Sequence, residues 1–585
     1  MNSIINNYRE PGEPEDDFEP GVVVEEEEEI LPVFTPKTSF EPMPHQKIAL
    51  EWMKLRELDN EISGGILALS PGLGKTFTSL YHIARENSNL PTLIIAPKTV
   101  IYTWYNEIKK FFGNTMSVFI LRKDNPKYKD ITVDNIKLYN VVLTNYEYVR
   151  GIATKLNLYD KVCMQDMYGK TFGCNIPKRP VLKAKKGEEI LFSIQWHRII
   201  TDESHNFSNY KTSLWKTMMC FCACYRWCLS GTPIRNYGQD LYSQYKFLGY
   251  YEPEFDLKRF YSSSIVEYIH HVNYEKANIK LTESTHIKVP CELEKEQAEI
   301  YNLFLTEAKS EYKNFTIGGA NFASVFTLFL RLRQICIAPF TITPESDSEF
   351  KKGKRKFDIV EYDRAQKKID KMTGGLASWV RDENGTAGLN SSKILKVTEI
   401  IKTIPKGEKV IVFTMFKRVI DLLVNKFTYT EGINKKFISI DGTITGTERD
   451  RAIDVFKNSD IDVLFISYRI GAEGLNIAEA NHVILMENWY SPATVDQAMA
   501  RVHRMGQTKR VTIYELYVPS TPEIASIEEA ILEICENKRR VAKEYFSDGK
   551  SDKGGKMDSK TLGRILNVKR GAEAPIKKPI GLHCD

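Results

Sequence analysis

A chain of 585 residues with 42% hydrophobic and 27% charged residues is too long for one hydrophobic core and ordinary in composition for a globular protein, so three or four structural units are expected. No apolar run reaches membrane-spanning length, and the acidic N-terminus lacks the basic-then-hydrophobic order of a secretory leader; ten cysteines without dense, regular spacing read as free thiols in a reducing, intracellular setting, with no membrane partner. The net charge of +5 is uneven: residues 1–30 carry eleven acids and one arginine, a net of −10, which leaves +15 on the rest, a charge that suits a polyanion or an ordinary lysine-rich surface equally well.

Residues 1–36 read as an acidic, disordered tail, because five consecutive glutamates, Glu25 to Glu29, repel one another. Residues 37–255 then alternate strands and helices. Ile66 to Leu69 is a short buried strand, followed by a turn through Ser70, Pro71, Gly72, Leu73 and Gly74. A helix follows, with Phe77, Leu80, Tyr81 and Ala84 at helical spacing. Strand, glycine turn and helix start at Gly74-Lys75-Thr76 make a phosphate cradle: N–H groups point inward, a lysine reaches the terminal phosphates and a hydroxyl can ligate magnesium. Leu69 stands where the full pattern has a further glycine, so an ordinary turn remains open on this stretch alone. Further strands are expected at 92–96, 140–144, 198–202 and 226–230, with a helix through Trp104 and Ile108 after the first of these. A lysine-bearing insertion between Tyr148 and Ser193 fits no element. Apolar strands separated by helices imply a parallel sheet covered on both faces.

Residues 256–391 read as a helical region and charged linker. Amphipathic stretches run from Lys295 to Ala308 and from Phe322 to Cys336, and Glu345 to Ser392 is charged and glycine-bearing. Residues 392–546 form a second alternating block, with strands at 409–414, 436–440, 462–467, 482–486 and 511–518. Residues 547–585 read as a flexible basic tail. The fold class is therefore α/β, with two parallel-sheet lobes joined by helical segments.

Asp202-Glu203-Ser204-His205 follows the RIIT strand, so both acids lie at the strand's C-terminal end, where parallel sheets bind ligands. Asp202 can hold magnesium and Glu203 can orient and deprotonate an attacking water. In isolation the run also reads as an N-capping acidic turn, a reading that Lys75 and Thr76 weaken. Arg501 and Arg504 fall three apart on one helix face, where guanidinium forks would suit charge on a transferring phosphoryl group; spacing alone favours an ordinary surface helix. Cys220, Cys222, Cys224 and Cys228 cluster, but they lead straight into a strand and lack a second pair, so buried thiols are expected rather than zinc. Cys163 and Cys174 lack convincing partners. Lys351 to Lys356 (KKGKRK) is a solvated loop, an import signal or a DNA contact.

Taken in order, the motifs resemble those of the Swi/Snf-type ATPases, a branch of the superfamily-two helicase-like motors. They are MPHQKIALEWM (43–53), GGILALSPGLGKT (64–76), LIIAPKTVIYTW (93–104), VVLTNYEY (141–148), WHRIITDESHNFSN (196–209), RWCLSGTPIRN (226–236), LRLRQICIAP (330–339), SSKILKVTEII (391–401), VIVFTMF (410–416), the long run 467–507 and VTIYELYV (511–518). The resemblance spans 42–541 and implies two RecA-like lobes with an ATP cleft between them and double-stranded DNA across their outer face. By matching position it implies Gln46 at the adenine, Gly72, Gly74, Lys75 and Thr76 at the phosphates, and Thr76 with Asp202 at Mg2+. Glu203 would serve the water, and Arg501 and Arg504 would be the fingers. Thr232, Gln497 and Gly471 fall in motifs that couple nucleotide state to lobe movement, and Lys98, Thr144 and Ser467 in motifs that touch the DNA backbone. Three departures stand out: Leu69-Ser70-Pro71 replaces Asp-Glu-Met, Ser204 replaces Gly or Ala, and Tyr490-Ser491 replaces a single Asn.

What the resemblance implies is a DNA-dependent ATPase, with ATP and Mg2+ as cofactors, that translocates on duplex DNA and remodels DNA–protein complexes. It would act as a monomer with possible transcription or replication partners, in the nucleus or a viral cytoplasmic factory. A core-only form, as in large DNA viruses or bacteria, fits the lack of targeting modules. A strand-separating DNA or RNA helicase or a transcription-termination motor would use the same cleft, and single-stranded RNA or DNA would then be the preferred polymer. A non-hydrolysing, nucleotide-gated scaffold is the third reading, favoured by the altered loop and opposed by Lys75, Glu203, Arg501 and Arg504.

Overall fold

The computed structural model describes residues 40–59, 62–86, 88–156, 190–234, 239–250, 267–318, 322–342, 388–442, 444, 446–471, 475, 477–548, 563 and 566. The acidic tail, Cys163, Cys174, the KKGKRK run, nearly all of the charged linker and nearly all of the basic tail lie outside these residues.

Two sheets, all of whose described pairings are parallel, organise the chain. The first contains β1 Gly64–Leu69, β2 Thr92–Ala96, β3 Val118–Ile120, β4 Val141–Asn145, β5 Gln195–Asp202, β6 Cys222–Leu229 and β7 Ile269–Val272, in the order β3-β4-β2-β5-β6-β1-β7. The second contains β8 Ser284–Pro290, β9 Val410–Thr414, β10 Phe437–Ile440, β11 Val463–Ser467, β12 His482–Leu485 and β13 Val511–Tyr517, in the order β10-β11-β9-β12-β13-β8. Every residue of β1, β2, β4 and β9 is buried, which explains their unbroken apolar runs: helices cover both faces, so neither face selects polar residues. Successive side chains alternate between the two cores. Leu67, Leu69, Ile94, Ile200 and Trp227 meet α1 Pro44–Glu57, α2 Lys75–Arg85 and α3 Ile101–Phe112, while Ile66, Ala68, Leu93, Ile95 and Ile199 point the other way. In α2, Phe77, Leu80 and Ala84 are buried and Tyr81 half-buried.

A polar knot fastens α1 to the first sheet. Arg198 on β5 grips the Glu57 carboxylate from Nε (2.6 Å) and Nη2 (2.7 Å), and Trp227 Nε1 and His82 Nε2 reach the same carboxylate at 2.9 and 3.0 Å. Burial would raise the Glu57 pKa, but the hydrogen bonds from Arg198 and His82 outweigh it and hold the carboxyl well below its ordinary range. Register then sets the functional edge. Asp202 pairs with Leu229 and Leu67 also pairs with Leu229, so β5, β6 and β1 finish side by side and their following loops converge.

Helices Lys295–Thr316 and Phe322–Ile337 lie against each other and against the C-terminal helix Ile527–Asp548 in a separate core that includes Phe304, Phe329, Leu332 and Ile531. The stretch expected to be mostly helical thus holds these two helices, but before them come β7, an edge strand of the first sheet, and β8, an edge strand of the second. β8 is largely exposed, so its sequence shows no apolar run. The insertion after Tyr148 begins inside a helix, Tyr146–Lys155, and residues 157–189 lie outside the described set. Among the described residues no helix is long and apolar enough to cross a membrane.

Candidate active site

The loop after β1 turns on two glycines in the left-handed region, Gly72 (φ 87°) and Gly74 (φ 83°). A Cβ at Gly74 would lie 2.2 Å from Gln46 Nε2, so any side chain there would both strain the left-handed backbone and push the Gln46 amide aside. Gln46 braces the loop from behind: its Nε2 donates to the Leu73 carbonyl at 3.1 Å, and its Oε1 accepts the Met43 N–H at 2.9 Å. His45 Nε2 lies 3.0 Å from the same Leu73 carbonyl. Leu69, the departure from the glycine pattern, is a core residue under the loop. Lys75 opens α2, and its ammonium donates to the Leu69 carbonyl at 2.9 Å. Burial pushes its pKa down, while the charges of Glu203 and Asp202 pull it up. Thr76 follows, half-buried at the mouth of the loop.

The acids stand across the same edge. Asp202 Oδ2 accepts from Trp104 Nε1 at 2.8 Å and Oδ1 from the Glu203 N–H at 2.9 Å, while Tyr146 donates its hydroxyl to the Asp202 carbonyl at 2.7 Å. Burial, reinforced by the Glu203 charge, raises the Asp202 pKa to about 6. Glu203 adopts a left-handed backbone (φ 51°, ψ 51°), a conformation that costs a non-glycine residue about 1 kcal/mol or more and is held here by the loop around it. Its Oε2 lies 3.2 Å from His205 Nδ1, and His205 Nδ1 lies 3.2 Å from Ser230 Oγ. Ser204 is buried and donates to Gln244 Oε1 at 2.6 Å, and Gln244 Nε2 donates to the Pro233 carbonyl at 2.9 Å. The hydroxyl that departs from the family pattern thereby links the acid turn to the loop after β6. Thr232 in that loop has a buried hydroxyl with no hydrogen-bond partner among the described residues.

The second lobe closes the other side. Gln497, on helix Pro492–Met499, donates from Nε2 to Glu203 Oε2 at 3.4 Å. That helix stops at Met499, so Arg501 and Arg504 do not share a helix face as the spacing predicts; they sit in the turns that follow. The turns are fixed by Ile477 N–H to the Arg501 carbonyl (3.1 Å), Gln507 N–H to the Arg504 carbonyl (3.1 Å) and Gln507 Nε2 to the carbonyls of Ala478 (2.9 Å) and Ala480 (2.7 Å). Both arginines nevertheless face the first lobe. Burial lowers the Arg501 pKa while Glu203 opposes it, and its charge in turn acts on Lys75. Burial lowers the Arg504 pKa while Tyr274 and Glu107 oppose it, and the Arg504 Cβ is 4.0 Å from where a Cβ on Gly72 would stand.

Other expected residues are placed differently. Gly471 is buried, and a Cβ there would meet the Phe413 ring at 2.3 Å, so packing alone demands glycine. Lys98 is exposed just past β2, and Ser467 is half-buried at the end of β11. Thr144 is fully buried at β4, and its hydroxyl donates to the Leu121 carbonyl at 3.0 Å. Of the four clustered cysteines, Cys220 and Cys228 are buried as expected and Cys222 and Cys224 only half-buried; burial pushes the Cys228 thiol up to about 12. Among the described residues no group of His, Cys, Asp or Glu side chains forms a metal cage. Sequence reasoning missed the supports: Trp104 and Tyr146 lie within quoted motifs but show no periodic signal for contact with Asp202, and Tyr274 lies in a stretch that reads as helical.

Residues 45–341 match the family model of the SNF2-related domain, and residues 392–506 that of the helicase conserved C-terminal domain. The 172L protein of Invertebrate iridescent virus 6, which bears a helicase name, is 33% identical over 91% of this chain and 96% of its own length. DNA repair protein RAD5 of Yarrowia lipolytica is 24% identical over 84% of this chain and 56% of its own, so the chain spans little more than half of that relative. Among solved structures, the Sulfolobus solfataricus SWI2/SNF2 ATPase core in complex with dsDNA covers 92% of this chain, with 97% of its own chain matched, at 21% identity and a TM-score of 0.33.

Proposed function

The chain belongs to the SNF2-related family of helicase-like ATPases, and from that premise we propose that it hydrolyses ATP to move along duplex DNA and remodel DNA–protein complexes. The observation that carries this reading is the contact of Gln497, from the second lobe, with Glu203, from the first, beside Lys75 and under the charge of Arg501. A site built from both lobes ties the chemical step to their relative position.

In this reading, Gly72, Gly74, Lys75 and Thr76 receive the phosphates, with Gln46 behind them toward the adenine. The donor set fits Mg2+: Asp202 is a half-buried carboxylate already oriented by two hydrogen bonds, and Thr76 offers a hydroxyl. When bound, Mg2+ neutralises charge on the β- and γ-phosphates. Glu203 takes a proton from water as its oxygen bonds the γ-phosphorus; the bond from that phosphorus to the β-γ bridging oxygen breaks, leaving ADP and inorganic phosphate. Gln497 holds the Glu203 carboxylate, and Arg501 and Arg504 oppose the charge on the transferring group. Gly471 packs the motif that joins this site to the lobe-two sheet. Lys98 and Ser467 lie at the C-terminal edges of the two sheets and are proposed to touch the DNA backbone, a contact without sequence preference.

The same reading takes residues 37–255 with β7 as lobe one, β8 with 392–546 as lobe two, and the intervening helices as an arm. Similarity to a viral protein over nearly the whole chain supports work on a viral genome, in the nucleus or a cytoplasmic factory. The test is an ATPase assay across duplex DNA, single-stranded DNA and RNA, followed by triplex displacement. Duplex DNA raises turnover severalfold, and Glu203→Gln and Lys75→Ala each lower it by about a hundredfold or more. Stronger stimulation by single-stranded RNA would favour a strand-separating motor instead.

A further inference from the structure

The passage between the two sheets touches both halves of the site. β7 ends at Val272 and β8 begins at Ser284, so residues 273–283 carry the chain from one lobe to the other. At the near end, the Ser70 N–H donates to the Val272 carbonyl at 2.9 Å, and the Tyr274 hydroxyl donates to the Pro71 carbonyl. A Cβ added at Gly72 would stand 3.0 Å from the Tyr274 hydroxyl and 4.0 Å from Arg504 Cβ, so the phenol and the second arginine both border the loop at this glycine. Tyr274 itself is held. Its carbonyl accepts the Ile279 N–H at 2.9 Å, the Asn273 carbonyl accepts the Ala277 N–H at 2.9 Å, and Asn273 Oδ1 accepts the Lys276 N–H at 2.8 Å. Asn278 completes the turn with φ 53°. Ala277 and Ile279 pack against the same core as Leu69 and Leu73. At the far end, His503 Nε2 lies 2.8 Å from the Thr282 carbonyl, between the two arginines in sequence.

The loop turns on two left-handed glycines, whose conformational freedom has to be restrained if the loop is to keep one shape. Pro71 restrains its own φ but brings no N–H, so the loop is steadied there through a carbonyl, and Tyr274 supplies the donor. We propose that Tyr274 is a positioning residue of the phosphate loop: from the inter-lobe passage its hydroxyl holds Pro71, Gly72 and Gly74 in the shape that receives the nucleotide's phosphates. The inference rests on the reading that this loop binds ATP.

Steady-state hydrolysis by the full chain, at saturating duplex DNA, tests it with Tyr274→Phe, which removes the hydroxyl and keeps the ring against Gly72. The loss of one hydrogen bond that shapes an unliganded site raises KM for ATP about fivefold and leaves kcat within about twofold. ADP affinity, measured by calorimetric titration, falls by the same factor. Partial misfolding would do the opposite, lowering the active fraction and hence kcat while KM stays put. A Tyr274→Phe protein with the KM and ADP affinity of the parent chain, or one that loses kcat at unchanged KM, overturns the inference. Should the parent chain hydrolyse ATP no faster than Lys75→Ala, the ATPase reading itself fails, and that outcome is told apart because it appears before Tyr274 is altered.

Discussion

Asp202 is the residue whose titration the site makes visible. Its pKa, raised to about 6 by burial and by Glu203, means that the folded protein favours the protonated carboxyl more than the unfolded chain does. Asp202's contribution to the stability of the nucleotide-free protein therefore falls as pH rises from about 4 to about 6 and is flat above. With Asp202 holding magnesium as proposed, nucleotide capture would run the other way, because only the carboxylate serves a divalent cation. The expected profile of kcat/KM for magnesium-ATP has an acid limb centred near pH 6; measured between pH 5 and 8, a limb centred near 4 would show that the carboxyl is not titrating as its burial requires. Identity and approximate position of this acid were legible, since it ends an apolar strand. The indole of Trp104 and the phenol of Tyr146 that orient it were not, because partners distant in sequence meet only once β2, β4 and β5 are adjacent.

Among elements, strands with apolar runs were legible, the edge strand β10 included, whereas the short or polar edge strands were not. β1, β2, β4, β9 and β11 announce themselves by apolar runs, whereas β3 is three residues long, β7 carries two histidines in four residues and β8 is exposed along most of its length. The helix carrying Gln497 is braced from outside: Arg539 on Ile527–Asp548 donates to Asp496 Oδ1 at 2.8 Å, next to Gln497, and Lys538 Nζ reaches the Tyr490 carbonyl at 2.6 Å. Within the first lobe, the knot of Glu57, Arg198, His82 and Trp227 predicts a sharp stability effect. Arg198→Ala strands a carboxylate in the core and is expected to cost about 3–5 kcal/mol, read as a lowered urea midpoint for the lobe-one transition. Replacing both partners with apolar residues of similar volume, Glu57→Leu with Arg198→Met, is expected to recover much of that loss. An additive penalty in the double variant would show that the two side chains act independently.

At the scale of the whole molecule, the composite cleft was predictable only through the order of motifs. Nothing in the local sequence of residues 497–507 states that they meet residues 202–203, and the helical spacing of the arginines pointed to the wrong local shape. Their placement predicts that Arg501→Lys lowers kcat about a hundredfold or more while nucleotide affinity, measured on the same protein, changes only a few-fold, because a single ammonium lacks the planar fork. A comparable loss in affinity and turnover would move Arg501 from the transferring group to ground-state binding. The direct passage from β7 to β8 carries one further consequence. A covalent leash of this length keeps the second lobe's cationic wall at an effective concentration on the order of millimolar beside the first, whatever the bulk protein concentration. The walls can thus part within the reach of residues 273–283 and reunite by local diffusion rather than by a fresh encounter, and repeated opening needs only a weak, wettable seam.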